Sequence, residues 1–183
     1  MYYTVKYSGP FGFIKPWTAV RDGETFSQQF LTPSIIEGIR QKLEVNQILR
    51  HKLTYAAIDI QQEVVQAKAL NYKRQSKVYL REKSILKRGV MLNPVLILAF
   101  QTYEEALNAS QQHICLCRNE DVLLPAEVET MEENEFNNHP GFELNFEKNE
   151  RAFMVGYNRF DNNSPTYGWL NITGNPIQKS EYE

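Results

Sequence analysis

A histidine and two cysteines occupy alternate positions in the stretch HICLCRNED, so metal binding is the first chemistry to consider. His113, Cys115 and Cys117 supply one imidazole and the only two thiols of the chain. On a β-strand these three side chains would share one face, with Ile114 and Leu116 on the other. A structural zinc site needs four ligands, usually from residue pairs separated by two to four positions, and the chain has no second cysteine pair. We therefore predict no metal site and no cofactor, and expect both cysteines to pack against a sheet.

Cationic and aromatic side chains are interleaved in the stretch ALNYKRQSKVYLREKSILKRG (69–89). Between positions 68 and 88 eight bases stand against one acid, whereas positions 120 to 150 hold ten acids and one base, although the net charge is only −2. This segregation predicts a face that binds a polyanion and an acidic face elsewhere. A solvated basic surface explains the charges equally well. The interleaved aromatic residues are Tyr72 and Tyr79, and the bases are Lys68, Lys73, Arg74, Lys77, Arg81, Lys83, Lys87 and Arg88.

The length and composition indicate one globular domain with an ordinary core. The chain has 183 residues, of which 42% are apolar and 23% are charged. No apolar run approaches the roughly 18 residues of a membrane helix, and the start MYYTVKYSG does not resemble a signal peptide. Two cysteines one residue apart cannot close a useful disulfide loop, so we expect a reducing cytoplasm and no membrane partner.

Two helices are predicted from capping signals followed by apolar residues at helical spacing. Ser34 and Glu37 match a capping box that opens a helix from about 34 to 44, or to 50 if Ile48 belongs to the same face. Gly38 inside this helix suggests close packing on its small side. Thr102 and Glu105 match a second capping box, for a short helix ending near 110.

Strands are predicted around these helices. They cover 2–9, 52–65, 95–100 and 113–117, and the basic stretch between the second and third fits a long exposed β-hairpin. The Gly- and Pro-rich residues 9–17 fit a loop or broken edge strand. The resulting order, β-α-β-(basic excursion)-β-α-β, is the α+β plan called ferredoxin-like or βαββαβ, which the RNA-recognition motif shares. Further short strands are expected after residue 139.

Four segments carry a resemblance to a known family. LCRNED (116–121) resembles the LGRSQD or LGRSED strand of the CRISPR-associated Cas-five family, but has a cysteine at position 117 where that motif has glycine. YSGPFGFIKP (7–16) resembles the family's first strand and loop, and FLTPSIIEGI (30–39) resembles the start of its first helix. ILKRGVMLNPVLIL (85–98) is similar to the segment that leads into its central strand. The resemblance spans about residues 2–128.

The resemblance implies a non-catalytic, prokaryotic cytoplasmic protein that binds guide RNA. Family members cap the filament of a Cascade-type surveillance complex and hold the 5′ handle of the crRNA. The implied partners are the crRNA, the backbone-filament subunit and the large subunit, with target nucleic acid reached through the complex. The implied organisation is a ferredoxin-like domain over 1–124 with a thumb at about 66–92, an acidic linker over 125–138, a small β-rich region over 139–175 and a tail over 176–183.

The residues suggest where RNA would bind. Single-stranded RNA is held by bases stacked on aromatic or Arg planes while cations follow the phosphates, so we expect contacts from the bases and tyrosines of the basic segment. In the Gly9–Pro16 loop, backbone amides could approach a phosphate, and Phe11, Phe13 and the following Trp17 could either stack or belong to the core. Lys15 and Arg21 are further candidates because burying them unpaired would be costly.

Two alternatives remain open at this point. One branch of the family resembles metal-independent endoribonucleases that process the crRNA precursor with Tyr, Lys and His. This chain has no Tyr after the first helix before Tyr55, and His51 and His113 are its candidate bases. A generic single-stranded RNA-binding module is the second alternative, although VLILAF lacks the aromatic residues of an open-sheet stacking platform.

Overall fold

A computed structural model describes residues 1–18, 23–65, 70–81, 83–158 and 162–178. The protein is a mixed structure of three helices among mostly antiparallel strands within these ranges, which agrees with the predicted α+β class. The helices are α1 (Pro33–Leu43), α2 (Tyr103–Ser110) and α3 (Glu133–Asn138). The strands are β1 (Tyr2–Ser8), β2 (Phe11–Gly12), β3 (Glu24–Phe26), β4 (Arg50–Thr54), β5 (Ala57–Val65), β6 (Leu70–Lys73), β7 (Val78–Arg81), β8 (Ser84–Leu92), β9 (Val95–Phe100), β10 (Ile114–Cys115), β11 (Val122–Met131), β12 (Gly141–Asn145), β13 (Phe153–Asn158) and β14 (Ser164–Thr173).

The main sheet has eight strands in the order β10-β11-β1-β9-β4-β12-β14-β13. Strand β9 is the predicted run VLILAF, and it pairs antiparallel with β1 on one side and β4 on the other. Because both its edges are paired and five of its six side chains are buried, a continuous apolar run suits it. The chain passes from β1 through β2, β3 and α1 to β4, and α2 follows β9.

The core lies on both faces of this sheet. Side chains of β1 and β9 such as Val5, Leu96 and Leu98 join Ile39 of α1 and Ala106 of α2 in the larger cluster. The opposite face holds a smaller cluster that includes Ile97 and Ala99 of β9, Met131 of β11, and Phe136 of α3. Alternation along β9 supplies both clusters, as the period of a strand requires.

The first helix begins one residue before its predicted start, and its N-cap lies two residues before Ser34. Thr32 is the N-cap residue and Pro33 occupies the first turn, so the Ser34–Glu37 capping box is wrong. The Glu37 carboxylate instead accepts hydrogen bonds from Arg40 at 2.8 Å and from Gln41 at 2.7 Å. The helix ends at Leu43 and does not reach position 50, because Glu44 adopts a left-handed conformation with φ of 56°.

Two other local predictions differ in their outcome. The Thr102–Glu105 capping box is confirmed: the backbone amide of Glu105 donates to Oγ1 of Thr102 at 3.3 Å. The expectation of close packing at Gly38 is wrong, since a Cβ added there would meet no heavy atom within 4 Å.

The predicted strand over 52–65 is two strands in two sheets. Strand β4 stays in the main sheet, whereas β5 pairs along its whole length with β8 in a second, four-stranded sheet. Strands β2 and β3 pair with the inner part of β8. Beyond this sheet, β6 and β7 form a two-stranded ladder with Tyr72 opposite Tyr79. The basic stretch is therefore the expected long hairpin, and the chain leaves and rejoins the main sheet at paired residues, Thr54 and Val95.

The acidic segment 125–138 forms regular structure rather than a linker. Residues 125–131 belong to β11, which pairs with β1, and residues 133–138 form helix α3. The three strands after residue 139 match the predicted short strands, but they extend the main sheet, because Phe142 of β12 pairs with Leu53 of β4. Residues 139–173 and the main sheet therefore share one set of hydrogen-bonded strands.

Candidate nucleic-acid interface

The outer hairpin presents tyrosines and cations to solvent. Every side chain from Leu70 to Arg81 is exposed. The rings of Tyr72 and Tyr79 lie side by side, with centroids 4.9 Å apart and planes tilted by 43°. Strand alternation puts Lys73 on the opposite face of the ladder from this pair. The hairpin thus offers an aromatic surface on one face and positive charge on its other face and its tip.

Three predicted cations cluster at the turn of the hairpin. Lys73, Arg74 and Lys77 are exposed, and none contacts a carboxylate within the described part of the chain. Lys77 adopts a left-handed conformation, with φ of 52°, which closes the turn. Exposed cations near aromatic side chains are the combination with which proteins bind single-stranded nucleic acid.

Two predicted cations at the base of the hairpin instead make contacts within the protein. The Nζ atom of Lys87 lies 3.9 Å from a carboxylate oxygen of Glu24 on the neighbouring strand. The Arg88 side chain is 16% exposed, its Nε lies 3.9 Å from Glu63, and its guanidinium lies over the ring of Phe13. Arg88 is therefore poorly placed to contact a phosphate without giving up these contacts.

Arg118, in the LCRNED stretch, ties the main sheet to the base of the hairpin. Its Nε and Nη2 atoms donate to both carboxylate oxygens of Asp121, at 2.7 to 3.3 Å. Its Nη1 atom donates to Gln61 at 2.8 Å and to Glu63 at 2.5 Å, both on β5. These hydrogen bonds, with that of Asp121 first in effect, raise the pKa of Arg118 further above its usual range. We call Arg118, Asp121, Gln61 and Glu63 the arginine clamp.

Gly9, Phe13 and Ile14 of the Gly9–Pro16 loop are committed to packing rather than to a ligand. The amide of Gly9 donates to the carbonyl of Pro94 at 3.3 Å, and the amide of Ile14 donates to the Ser27 hydroxyl at 2.9 Å. A Cβ on Gly9 would lie 2.3 Å from the carbonyl oxygen of Val122. Phe13 is 2% exposed and belongs to the interior. The expected amide cradle for a phosphate is therefore wrong for these two amides.

An exposed aromatic residue follows this loop directly. Trp17 is 39% exposed, and its ring meets that of Tyr157 on β13 edge to face, with centroids 5.9 Å apart. Lys15 is exposed two residues earlier. Of the other predicted contacts, Lys83 is exposed, whereas Arg21 and Lys68 lie outside the described residues.

The stretch with the cysteines and His113 differs from the predicted strand in its length and in the burial of its side chains. Ile114 and Leu116 are buried as the alternation predicts, but only residues 114–115 form a strand, and Cys117 is exposed rather than packed. Among the described residues no group of three His, Cys, Asp or Glu side chains could hold a metal ion.

His51 lies inside the protein. It is 2% exposed, and its Nε2 atom accepts a hydrogen bond from the Leu144 amide at 3.3 Å. Burial, helped by the nearby charge of Arg50, lowers the pKa of His51 to about 4. This imidazole has no access to a solvent-borne substrate, whereas His113 is exposed.

Sequence reasoning missed the clamp and the Trp17–Tyr157 pair. Arg118 and Glu63 are 55 residues apart in the chain, and no local pattern announces a contact between them. The one available signal was that two acids, Glu120 and Asp121, follow Arg118 within three residues in LCRNED.

Comparison with known proteins gives a likeness in fold. No protein-family model matches the chain, and no curated protein matches it. No helix in the described ranges is long and apolar enough to cross a membrane. A solved chain titled "CRISPR RNA-guided surveillance complex" is similar to this chain over 96% of its length and 91% of that chain, with a TM-score of 0.57 and 12% sequence identity. The chain therefore shares its fold with a component of that complex.

Proposed function

We propose that this chain is a guide-RNA-binding subunit of a CRISPR surveillance complex. It holds the 5′ handle of the crRNA and caps the filament of backbone subunits, without catalysing a reaction. The observation that carries the proposal is the exposed hairpin, with the cations Lys73, Arg74 and Lys77 at its turn and its paired tyrosines, on a fold that a chain of such a complex shares. The large subunit and the backbone-filament subunit are the expected partners, in a prokaryotic cytoplasm.

The strand order supports the ferredoxin-like part of the proposal. Strands β11, β1, β9 and β4 are consecutive in the sheet and antiparallel to one another. Numbered along the chain as four, one, three and two, with a helix after the first and third, they follow the split βαβ plan. The hairpin is inserted between the second and third of these strands, where the family places its thumb.

The charges of the hairpin suit a single-stranded RNA. Cations at the turn can follow the phosphates while the Tyr72–Tyr79 surface accepts a stacked base. The acids at positions 127, 129, 132, 133 and 135 are exposed on β11 and the α3 region. Because that surface repels phosphates, RNA is directed away from it and toward the hairpin.

Catalysis is not part of the proposal. A metal-independent ribonuclease needs a base for the 2′-hydroxyl and an acid or cation for the leaving oxygen, and His51 is buried with its Nε2 atom engaged. We expect no cleavage of a repeat-containing RNA by the purified chain. Chelator-resistant cutting that disappears in a His113→Ala variant would contradict this expectation.

The test of RNA binding is charge reversal at the turn of the hairpin. Each phosphate neutralised on a single strand contributes roughly −0.7 to the slope of log affinity against log salt. The triple variant Lys73→Glu, Arg74→Glu, Lys77→Glu should weaken crRNA binding and flatten that slope by about two units. Stability should change by under roughly 0.5 kcal/mol per site, because all three side chains are exposed.

A matched control reverses charge away from the hairpin. Lys148 is an exposed cation over the ring of Tyr167 on β14, and Lys148→Glu should leave the slope unchanged. An unchanged affinity and slope in the folded triple variant, with normal assembly into the complex, would contradict the proposed function.

A further inference from the structure

A groove of about 640 Å³ separates helix α1 from the strands β13 and β14. The helix contributes the face opposite its buried residues, which are Ile39 and Leu43. The strands contribute Tyr157, Asn158 and Thr166, and the helix contributes Pro33, Ser34, Glu37, Gly38 and Gln41. The volume lies within the range of pockets that hold small organic groups.

Gly38 keeps the floor of this groove open. A Cβ at this position would meet nothing within 4 Å, so the glycine is not required by packing inside the protein. Glycine in a helix interior lowers stability by about 1 kcal/mol relative to alanine. A residue that weakens the helix and fills no contact leaves the backbone of α1 accessible to a flat group in the groove.

The walls combine an aromatic plane with hydrogen-bonding groups. The Tyr157 ring is 52% exposed and is held from the side by Trp17, whose plane is turned by 88°. The Thr166 hydroxyl and the Gln41 side chain, whose Nε2 atom donates to Glu37 at 2.7 Å, line the remainder together with Asn158 and with Ser34, whose hydroxyl lies 3.1 Å from that of Thr32. Planar heterocycles with donors and acceptors on their edges fit such a lining.

The charges at the groove select the base over the phosphate. Among the described residues that line it there is no Lys or Arg, and the one acid is Glu37. Glu37 is neutralised by two hydrogen bonds from Arg40, at 2.8 Å each. The exposed cation Lys15 precedes Trp17 by two residues, so their Cα atoms are at most about 7 Å apart. This spacing lets a phosphate at Lys15 and a base at the aromatic pair belong to the same strand.

We propose that this groove binds one unpaired nucleobase of a single-stranded RNA, stacked on Tyr157 above Gly38. The inference rests on the proposed RNA-binding function and adds a second contact region, distinct from the hairpin. The base enters the groove and the adjoining phosphate stays outside it, near Lys15. The groove therefore contributes base-dependent affinity, whereas the salt dependence comes from Lys15 and the hairpin.

The test fills the groove without harming the helix. Gly38→Leu extends a side chain into the open space and raises helix propensity, and Gly38→Ala is the matched control that adds one methyl group. Circular dichroism and urea unfolding should show both variants to be folded and at least as stable as the wild type. The probes are single-stranded RNAs of about 12 nucleotides carrying A, C, U or alternating G and U, and a strand of the same length without bases.

The wild type should bind at least one base-bearing RNA more tightly than the abasic strand. Gly38→Leu should reduce that preference by about 5- to 150-fold, the range for one stacked base, and leave the affinity for the abasic strand unchanged. Gly38→Ala should retain the preference. The hairpin triple variant should behave oppositely, weakening both strands and changing the salt slope.

Three results would overturn the inference. Gly38→Leu could keep the wild-type base preference, or weaken both strands equally. It could also leave RNA binding intact and block assembly with a partner subunit, in which case the groove receives a protein side chain. Failure of the wild type to bind any strand would instead refute the proposed function itself, and this inference with it.

Discussion

Removal of the Arg118 guanidinium should be among the most damaging single changes at the base of the hairpin. Asp121 is fully buried and Arg118 is 16% exposed, so their ion pair is shielded from water. In Arg118→Leu the carboxylate keeps one strong contact, the hydrogen bond from the backbone amide of residue 118 at 2.9 Å. Breaking one side of a buried ion pair costs about 3 to 5 kcal/mol. Because that amide bond remains, we expect about 3 kcal/mol.

Urea unfolding measures this loss directly. With a slope of about 2 kcal/mol per molar urea, the midpoint of Arg118→Leu should fall by about 1.5 M. Arg118→Lys is the matched control, since lysine keeps the charge but cannot form the forked contact with Asp121 or reach β5 as well, and its loss should be intermediate. A loss below about 1 kcal/mol in Arg118→Leu would falsify the reasoning.

The clamp should also control how firmly the hairpin is attached. Gln61 and Glu63 receive two of the hydrogen bonds of Arg118, so their strand loses its tie to the main sheet when the guanidinium is removed. In Arg118→Leu, hydrogen exchange should therefore be faster for the backbone amides of β5 and β8 than for those of β9. Equal protection of these strands in the variant and the wild type would show that strand pairing alone attaches the hairpin.

Three further outcomes are expected. Burial holds the pKa of His51 at about 4 in the folded protein, against 6.5 in the unfolded chain. The free energy of unfolding should therefore be highest above pH 6.5 and fall by up to about 3 kcal/mol as the pH drops toward 4. His51→Gln should have a flatter pH profile in urea titrations, and an unchanged profile would contradict this. Gly9→Ala should cost about 1 to 3 kcal/mol, because its Cβ would overlap the Val122 carbonyl at 2.3 Å, and a stability equal to wild type would show that the loop shifts freely. Elemental analysis should find no stoichiometric zinc, whereas one zinc per chain that is lost on replacing Cys115 and Cys117 with Ser would reverse the interpretation of HICLCRNED.

The elements that were predicted correctly are those defined by residues close together in the chain. VLILAF signals a buried strand through its own composition, and Thr102 finds its hydrogen-bond partner three residues away at Glu105. The start of α1 was misplaced because Thr32 and Ser34 are both acceptable caps, and the extended conformation of Thr32 before Pro33 decides between them.

The features that escaped prediction depend on contacts between distant segments. The acidic segment resembles a linker by charge, yet its apolar residues Met131 and Phe136 are buried, the first on β11, which pairs with β1, and the second on α3. Likewise, Trp17 meets Tyr157 across 140 positions of the chain. Most of the hairpin could be anticipated, because its sequence suited no helix, whereas the clamp that holds its base could not.

The meeting of Thr54 and Val95 has a consequence for how the chain folds. Pairing β4 with β9 directly closes a loop of about 40 residues, at an entropic cost of about 3 kcal/mol. If the hairpin forms first from its turn, successive pairs of β5 and β8 bring the two ends together one step at a time, and most of that cost is met by local contacts. Hairpin formation would then precede closure of the central sheet. Substitutions that weaken β5–β8 pairing should slow refolding, whereas those confined to β13 and β14 should mainly speed unfolding.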